Sequence, residues 1–571
     1  MTSALALLIA VPIAIGVAVF VAELAPIAIR RSLAYALDLS AAVPSVVYGF
    51  WAVIVLVPLM RTSIEPTLAS WTDGAFPFSS RASGSDVLTA TIVLAIMILP
   101  TIAALSREAL LAVPRVHRES ALSLGATRWE STRLGVLRSA RGGIVAGTIL
   151  GLGRALGETI AVTMVIGNVF QIPTSLFSQG ATLASWLVDV FPDSQPGLDR
   201  SASLELALIL LAITLAINVV ARWAIRRAFA RRAADGEEPT EASSRPGWWS
   251  RRPRTLTIPA APLSVVPPEW HAAASARAAA VRRRRRILEG GVLAMTVLAL
   301  VLALAPFASV ILTAAERGGG LVVRPSFYTS LPPVGCNPHP GLVCPIGGIG
   351  PEIQGTLIML GLGALVALPA GMLIGIYLAE YGRNRFARAV SLLAEVMTGV
   401  PTLIIGVFVF TLFLYVDHDA ALSALAGGVA LGVLMLPIAT RATEEALRTV
   451  PASVRESALA LGFARHRVTL RVVLRSSRGV LVTGLLLALS RAAGDTATLL
   501  LTAGGSSFWF SNLNSETASM TPFIFDNFGS NYQNLQAAAW GAALVLLGLM
   551  LAIGLAARIA VGAPVGEAEG G

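Results

Sequence analysis

The sequence predicts an all-α polytopic membrane protein made of two homologous helical bundles in one chain. Three observations predict it: apolar stretches long enough to cross a bilayer, alternation of arginine-rich and arginine-poor segments between them, and an internal repeat. The composition agrees, with 55% hydrophobic and only 13% charged residues and a mean hydropathy of +0.73. An ordinary soluble domain carries roughly a quarter charged residues.

A membrane helix needs about 20 mostly apolar residues. Such spans fall near 2–25, 33–60, 86–111, 142–167 and 203–223, then near 287–314, 355–380, 389–416, 422–441, 479–503 and 537–560, about 11 transmembrane helices. The apolar N-terminus does not read as a signal peptide, because no basic segment precedes Ala4 and Glu23 and Pro26 follow the run. Pro44 and Pro401 fall inside spans and are expected to kink them. Glu23 and Glu380 fall near the inner ends of spans, where helix-end pairing is the expected role.

The net charge is +10, and every basic residue is arginine. A Walker A loop needs lysine on the β- and γ-phosphates, so the chain has no P-loop. ATP-driven work therefore has to come from another subunit. Loops 30–31, 115–141, 222–286, 383–388 and 441–478 hold nearly all the arginine, and loops 61–85, 168–202, 316–354 and 504–536 hold little. The two classes alternate, so the positive-inside rule places the arginine-rich loops and the C-terminus in the cytoplasm. Residues 226–286 form a basic linker with an arginine run, Arg282 to Arg286. Topogenic charge against anionic lipid accounts for that run; a basic run alone is poor evidence for nucleic-acid binding.

Residues 108–159 align with 445–496 at a constant offset of 337, with 28 identities in 52 positions. Upstream the offset is 357: Glu23 matches Glu380, Arg31 matches Arg388, Asp38 faces Glu395, and VPSVVYG (43–49) matches VPTLIIG (400–406). The difference of twenty is the larger outer loop near 61–85. Both copies place their arginine-rich loop inside, so they are parallel repeats about an axis along the membrane normal, an arrangement that encloses one central pathway. The organisation is a first half over 1–225, the linker over 226–286 and a second half over 287–562. The second half carries an extra leading span at 287–314. Either the first half has lost its counterpart or the protein starts further upstream, and an outward N-terminus without a signal favours the second.

Two motifs lie within the repeat. The first is a cytoplasmic loop, with Pro114, Glu119-Ser120-Ala121 and Gly125 in one copy and Pro451, Glu456-Ser457-Ala458 and Gly462 in the other. Proline ends the descending helix, a short amphipathic helix carries the glutamate, and glycine stops it with a turn. Here the chain resembles the EAA-loop family of ABC importer permeases. The resemblance implies a type I ABC importer permease fold whose two loops dock on an ABC ATPase dimer on the cytoplasmic side. The chain itself then binds no cofactor, and ATP and Mg belong to the partner ATPase.

The second motif puts charges at membrane depth. Arg154 lies twelve residues, about 18 Å at helical rise, from the start of its span near Gly142, with Glu158 at i+4; Arg491 and Asp495 repeat the pair. Charges at that depth should face a cavity or one another. In one reading each arginine pairs with its own acid and locks a helix. In the other, Arg154 and Arg491 converge on the axis and attract an anion, which the planar guanidinium fork suits. The two are compatible.

G-R-A-L-G-E-T (153–159) with S-R-A-A-G-D-T (490–496), together with P-S-V-V-Y-G (44–49), is similar to the permease pair of phosphate ABC importers, PstC-type in the first half and PstA-type in the second. The resemblance covers most of 1–225 and 285–560. It implies the permease component of an importer of inorganic phosphate in the bacterial inner membrane, served by an extracytoplasmic phosphate-binding protein and working by alternating access. Fusion of the two subunits departs from the family's usual separate chains. Rival readings are a permease for phosphonate, sulfate or molybdate and a membrane component signalling phosphate status. A membrane enzyme is disfavoured, since no Ser/His or metal constellation lies at helix depth and the chain has five His.

Cys336 and Cys344, the whole cysteine complement, fall in an outer loop where a disulfide is plausible chemistry. With His339 they do not make a metal site. The outer loops 168–202 and 504–536 either dip back or form a docking platform.

Overall fold

A computed structural model describes residues 1–73, 77–78, 83–192, 194–195, 197–234, 268–336, 344–345, 347–382 and 384–561. Residues 235–267 of the linker, His339 and the C-terminal residues 562–571 lie outside the described residues. The described chain is helical apart from turns and two isolated bridges. Eight helices are long and apolar enough to cross a membrane, and three bent helix pairs bring the count to 11.

In the first half, α1 (Thr2–Leu24) is followed by α2 (Ile27–Ala42), α3 (Ser45–Trp71), α4 (Val87–Leu111) and the short α5 (Arg115–Ser123). The bent pair α6 (Arg128–Gly157) and α7 (Ile160–Ile166) comes next, then α8 (Leu183–Val190) and α9 (Leu198–Ala234). The second half opens with α10 (Pro268–Val322) and then repeats the order. It runs α11 (Gly350–Tyr381), α12 (Arg385–Met397), α13 (Thr402–Val416), α14 (Ala424–Arg448) and α15 (Ala452–Ala460). Then follow α16 (Arg465–Ser476), α17 (Arg478–Ala493), α18 (Ala497–Thr502), α19 (Met520–Asn527) and α20 (Gln533–Val561).

The packing follows the repeat. α1 packs on α4 and α4 on α6, as α11 packs on α14 and α14 on α17. Small residues make these approaches close, because lipid tails supply no hydrophobic force between helices and contact area has to. α1 buries the four-residue stripe Ala6, Ala10 and Ala14. On α11, a Cβ added at Gly371 would lie 2.7 Å from that of Ala439, and one at Gly363 would lie 2.7 Å from the Gly428 carbonyl oxygen, both on α14.

Two expected spans are not through-helices. The chain breaks at Pro44 and again at Pro401, where α12 and α13 turn by 106°. Proline forces the residue before it out of the helical region, and Val43 is extended at φ −60°, ψ 131°. Each proline therefore starts a helix rather than kinking one. α12 is amphipathic, with exposed Phe386, Leu392 and Leu393 beside Arg385 and Arg388, the pattern of a helix lying in the membrane interface.

α10 extends well beyond the expected 287–314, so the stretch read as linker is helical over 226–234 and 268–286. This leading helix of the second half packs on α1 of the first as well as on α20 of its own. The Trp51 indole on α3 donates to Ser309 Oγ on α10 at 2.9 Å, and Phe50 on α3 stacks on Trp540 of α20 at 4.0 Å. The two repeats thus share one continuous apolar core. Outside it, Cys336 and Cys344 are joined by a disulfide.

Candidate functional site

The helices that carry Arg154 and Arg491 both stop just after their arginine. α6 ends at Gly157, Glu158 is extended at φ −73°, ψ 122°, and α7 leaves at 60°. α17 likewise ends at Ala493, three residues before the cap of α18. Glu158 and Asp495 therefore do not sit one helical turn above Arg154 and Arg491 on a shared face, as the i+4 spacing suggested. They begin the next helices instead. Asp495 Oδ2 accepts the Thr498 amide at 3.0 Å, which satisfies an orphan donor of the first turn of α18. The Ala161 amide lies in the same relation to Glu158.

A second partner is also duplicated. The Ser45 hydroxyl reaches the Glu158 carboxylate, and the Thr402 hydroxyl reaches that of Asp495. Ser45 and Thr402 directly follow Pro44 and Pro401, so each acid ties the start of α7 or α18 to the start of α3 or α13. Each proline in turn meets the opposite half. A Cβ added to Gly157 would lie 3.3 Å from Pro401 Cα, and one on Gly494 would lie 3.5 Å from Pro44 Cγ. Proline, hydroxyl, acid and glycine from both repeats thus close a ring around the midline.

Arg154 and Arg491, one from each half, lie within electrostatic reach of each other. Arg491 feels the charges of Arg154, Asp495 and Glu158, so all four groups, two from each half, share one field. Neither arginine makes a direct ion pair with its own acid among the described residues. The arginines are not equivalent. Arg154 Nη1 donates to Thr101 Oγ1 at 2.9 Å and to the Ala41 carbonyl at 3.5 Å. Arg491 makes no hydrogen bond among the described residues and its side chain is exposed. The repeat explains the difference. Thr101 corresponds to Ile438, so the second half lacks the counterpart of the hydroxyl that holds Arg154.

Exposure differs on the two sides of the arginines. One turn before each arginine, toward the α5 and α15 side, Leu150 is 51% and Leu487 63% exposed. Beyond the arginines, α7 and α18 are almost wholly buried. The outer loops dip back over this closed side. Bridges Gly167–Gly180 and Gly504–Thr517 shape them alike, and Thr521 at the start of α19 donates to the Asp495 carbonyl at 3.0 Å.

On the open side, α5 and α15 each end in a left-handed glycine, Gly125 at φ +80° and Gly462 at φ +82°. Glu119, Ser120, Glu456 and Ser457 are exposed, Ala121 is half-buried and Ala458 is buried. Leu124 is 89% and Leu461 78% exposed at the two tips.

The sequence reading missed Ser45, Thr402 and Thr101. The first two were signalled by a hydroxyl residue directly after proline in a repeated motif. A lone threonine in an apolar helix carries no signal for Thr101. The capping role of the acids is testable. Asp495→Asn keeps an acceptor for the Thr498 amide, whereas Asp495→Ala removes it and is expected to cost about 1 kcal/mol more. The thermal midpoint of the detergent-solubilised chain should be lower for Ala than for Asn, and equal midpoints would remove the capping role.

The family described as "Binding-protein-dependent transport system inner membrane component" matches residues 11–233 and 371–562. The phosphate transport system permease protein PstC of Pasteurella multocida (strain Pm70) is 46% identical over 230 residues, 40% of this chain and 72% of that protein. PstC of Haemophilus influenzae (strain ATCC 51907 / DSM 11121 / KW20 / Rd) is 43% identical over 231 residues, 40% of this chain and 73% of its own length. The phosphate transport system permease protein PstA of Xylella fastidiosa (strain 9a5c) is 39% identical over 215 residues, 37% of this chain and 74% of its own length.

Proposed function

The chain belongs to the family of binding-protein-dependent transport system inner membrane components, and from that membership we propose that it forms the complete translocation pathway of an ATP-driven importer of inorganic phosphate. It is a multi-pass membrane permease and not itself an enzyme. Its partners in this reading are an ATPase pair against α5 and α15 and a phosphate-binding protein on the opposite side.

The observation that carries the proposal is that Arg154 and Arg491, one from each repeat, lie within electrostatic reach of each other, each on a helix that ends where glycine of its half meets proline of the other. A dianion leaving water needs charge-assisted donors to replace its hydration, and guanidinium forks match phosphate oxygens. Arg154, held by Thr101, is the fixed side of the clamp, and the untethered Arg491 closes on the anion. Glu158 and Asp495 keep the cluster formally neutral, so the anion is attracted without being trapped. The capped half-helices give the ring two arrangements to alternate between, because a broken helix can change its bend without losing interior hydrogen bonds.

The test is uptake of labelled phosphate by proteoliposomes holding the chain, its ATPase subunits and the binding protein. Uptake should require ATP inside and the binding protein outside. Excess unlabelled phosphate should abolish the signal, and equal excess of sulfate, molybdate or phosphonate should leave it. Equal competition by one of those oxyanions would overturn phosphate as the substrate.

A further inference from the structure

The reading of α5 and α15 as coupling helices leaves open how their motion reaches the rest of each bundle. One side-chain cluster occurs twice at this place. In the first half, Arg118, in α5, donates from Nε to both Glu23 oxygens at 3.1 Å and from Nη2 to Glu23 Oε1 at 2.7 Å. The same guanidinium donates to the carbonyls of Leu110 at 2.8 Å and Val113 at 2.6 Å. In the second half, Arg455, in α15, donates to Glu380 Oε1 from Nε at 3.0 Å and from Nη2 at 2.9 Å. It also bonds the carbonyls of Leu447, at 2.7 Å, and Val450. The carboxylates are 11% and 8% exposed and the guanidiniums 21% and 23%.

Each arginine thus fastens three elements. Its own helix is the exposed coupling helix. The carbonyls belong to the end of α4 or α14, where the last helical carbonyls lack intrahelical partners. The glutamate sits in a π-helical turn that ends α1 (Phe20–Leu24) or α11 (Tyr377–Tyr381), a local loosening of the helix of the kind found at functional positions. The sequence separations are 95 and 75 residues. The same junction therefore forms although the intervening chain differs by twenty residues, which argues that the junction itself is built and not a by-product of local sequence.

We infer that Arg118–Glu23 and Arg455–Glu380 are paired latches that make the coupling helix, the end of α4 or α14 and the end of α1 or α11 move as one body. The latches thereby carry the displacement of α5 and α15 into each half of the permease. Without them, a pull on α5 reaches α4 only through the backbone turn at Ala112–Pro114 and α6 only through the chain beyond Gly125, and α1 has no charged tie to α5. With them, α1 and α4 follow, and α6 is carried between them with its arginine. Arg118, Glu23, Arg455 and Glu380 are positioning residues: they act through the helices they join and do not touch the anion path.

The test uses the complete complex in proteoliposomes. ATPase subunits should co-purify with the unaltered chain; their absence would remove the coupling reading on which this inference rests, whatever the latches do. With docking established, the double variant Glu23→Gln/Glu380→Gln should still retain the ATPase subunits and hydrolyse ATP. It should move at least tenfold less labelled phosphate per ATP. An unchanged ratio would overturn the latch. Spin labels on Leu8 of α1 and Leu122 of α5, both exposed, give a readout that does not depend on how the variant folds. In the otherwise unaltered complex their separation should stay constant through the nucleotide cycle, and a change in it would overturn the inference as well.

Discussion

Arg491→Ala is expected to lower phosphate uptake at least ~100-fold while the chain stays in the membrane and keeps its ATPase partners. The size follows from charge. Two arginines and two acids leave the ring formally neutral, and loss of one guanidinium makes it net negative at the point the anion must cross. Two unit charges about 4 Å apart interact by about 4 kcal/mol at an effective dielectric near 20, and about 1.4 kcal/mol is a factor of ten. Assembly should survive because Arg491 makes no hydrogen bond among the described residues and its side chain faces open space. Arg154→Ala should lose transport as fully, and it also leaves the Thr101 hydroxyl and the Ala41 carbonyl without their donor. The checks are initial uptake rate in proteoliposomes and co-purification of the ATPase. Near-normal uptake by either variant would end the anion-path assignment.

Gly157→Val should arrest transport by more than tenfold, and more severely than Gly494→Val. A first carbon on Gly157 already comes within 3.3 Å of the Pro401 backbone of the other half, and valine adds two methyl groups there. Backbone at a helix start cannot step aside, so the seam between the halves must widen. At Gly494 the nearest atom is the Met550 methyl at 3.0 Å, the end of a flexible side chain that can rotate away. Uptake rates of the two variants at matched expression test the order, and the reverse order would show that the Gly157–Pro401 contact is not the limiting approach.

The fold was largely legible in the sequence because membrane helices are written in apolar length and loop charge. The eleven spans agree in number with the eight helices and three bent pairs among the described residues. The errors were at Pro44, Pro401, Gly157 and Gly494. There the apolar stretch runs on, but the backbone turns. Hydropathy does not see a proline that begins a helix rather than bending one, and i+4 spacing means a shared face only while the helix lasts. The extent of α10 was missed for a related reason: a basic, alanine-rich segment reads as linker by charge and is helical by propensity.

By itself the sequence determined that this chain is a duplicated membrane permease whose two halves repeat the same arginine motif and the same loop motif. Residue type, apolar length and register carry that information locally. Only the tertiary structure decided that the acids cap new helices, that Thr101 holds one arginine while the other has no hydrogen bond among the described residues, and that proline of each half seats against glycine of its twin. The arginine tether and the proline–glycine seats are contacts between residues far apart in the chain, and the caps are local contacts that exist only where the helix has broken. They depend on where the backbone breaks and on how the two halves then pack, which residue type and apolar length do not record.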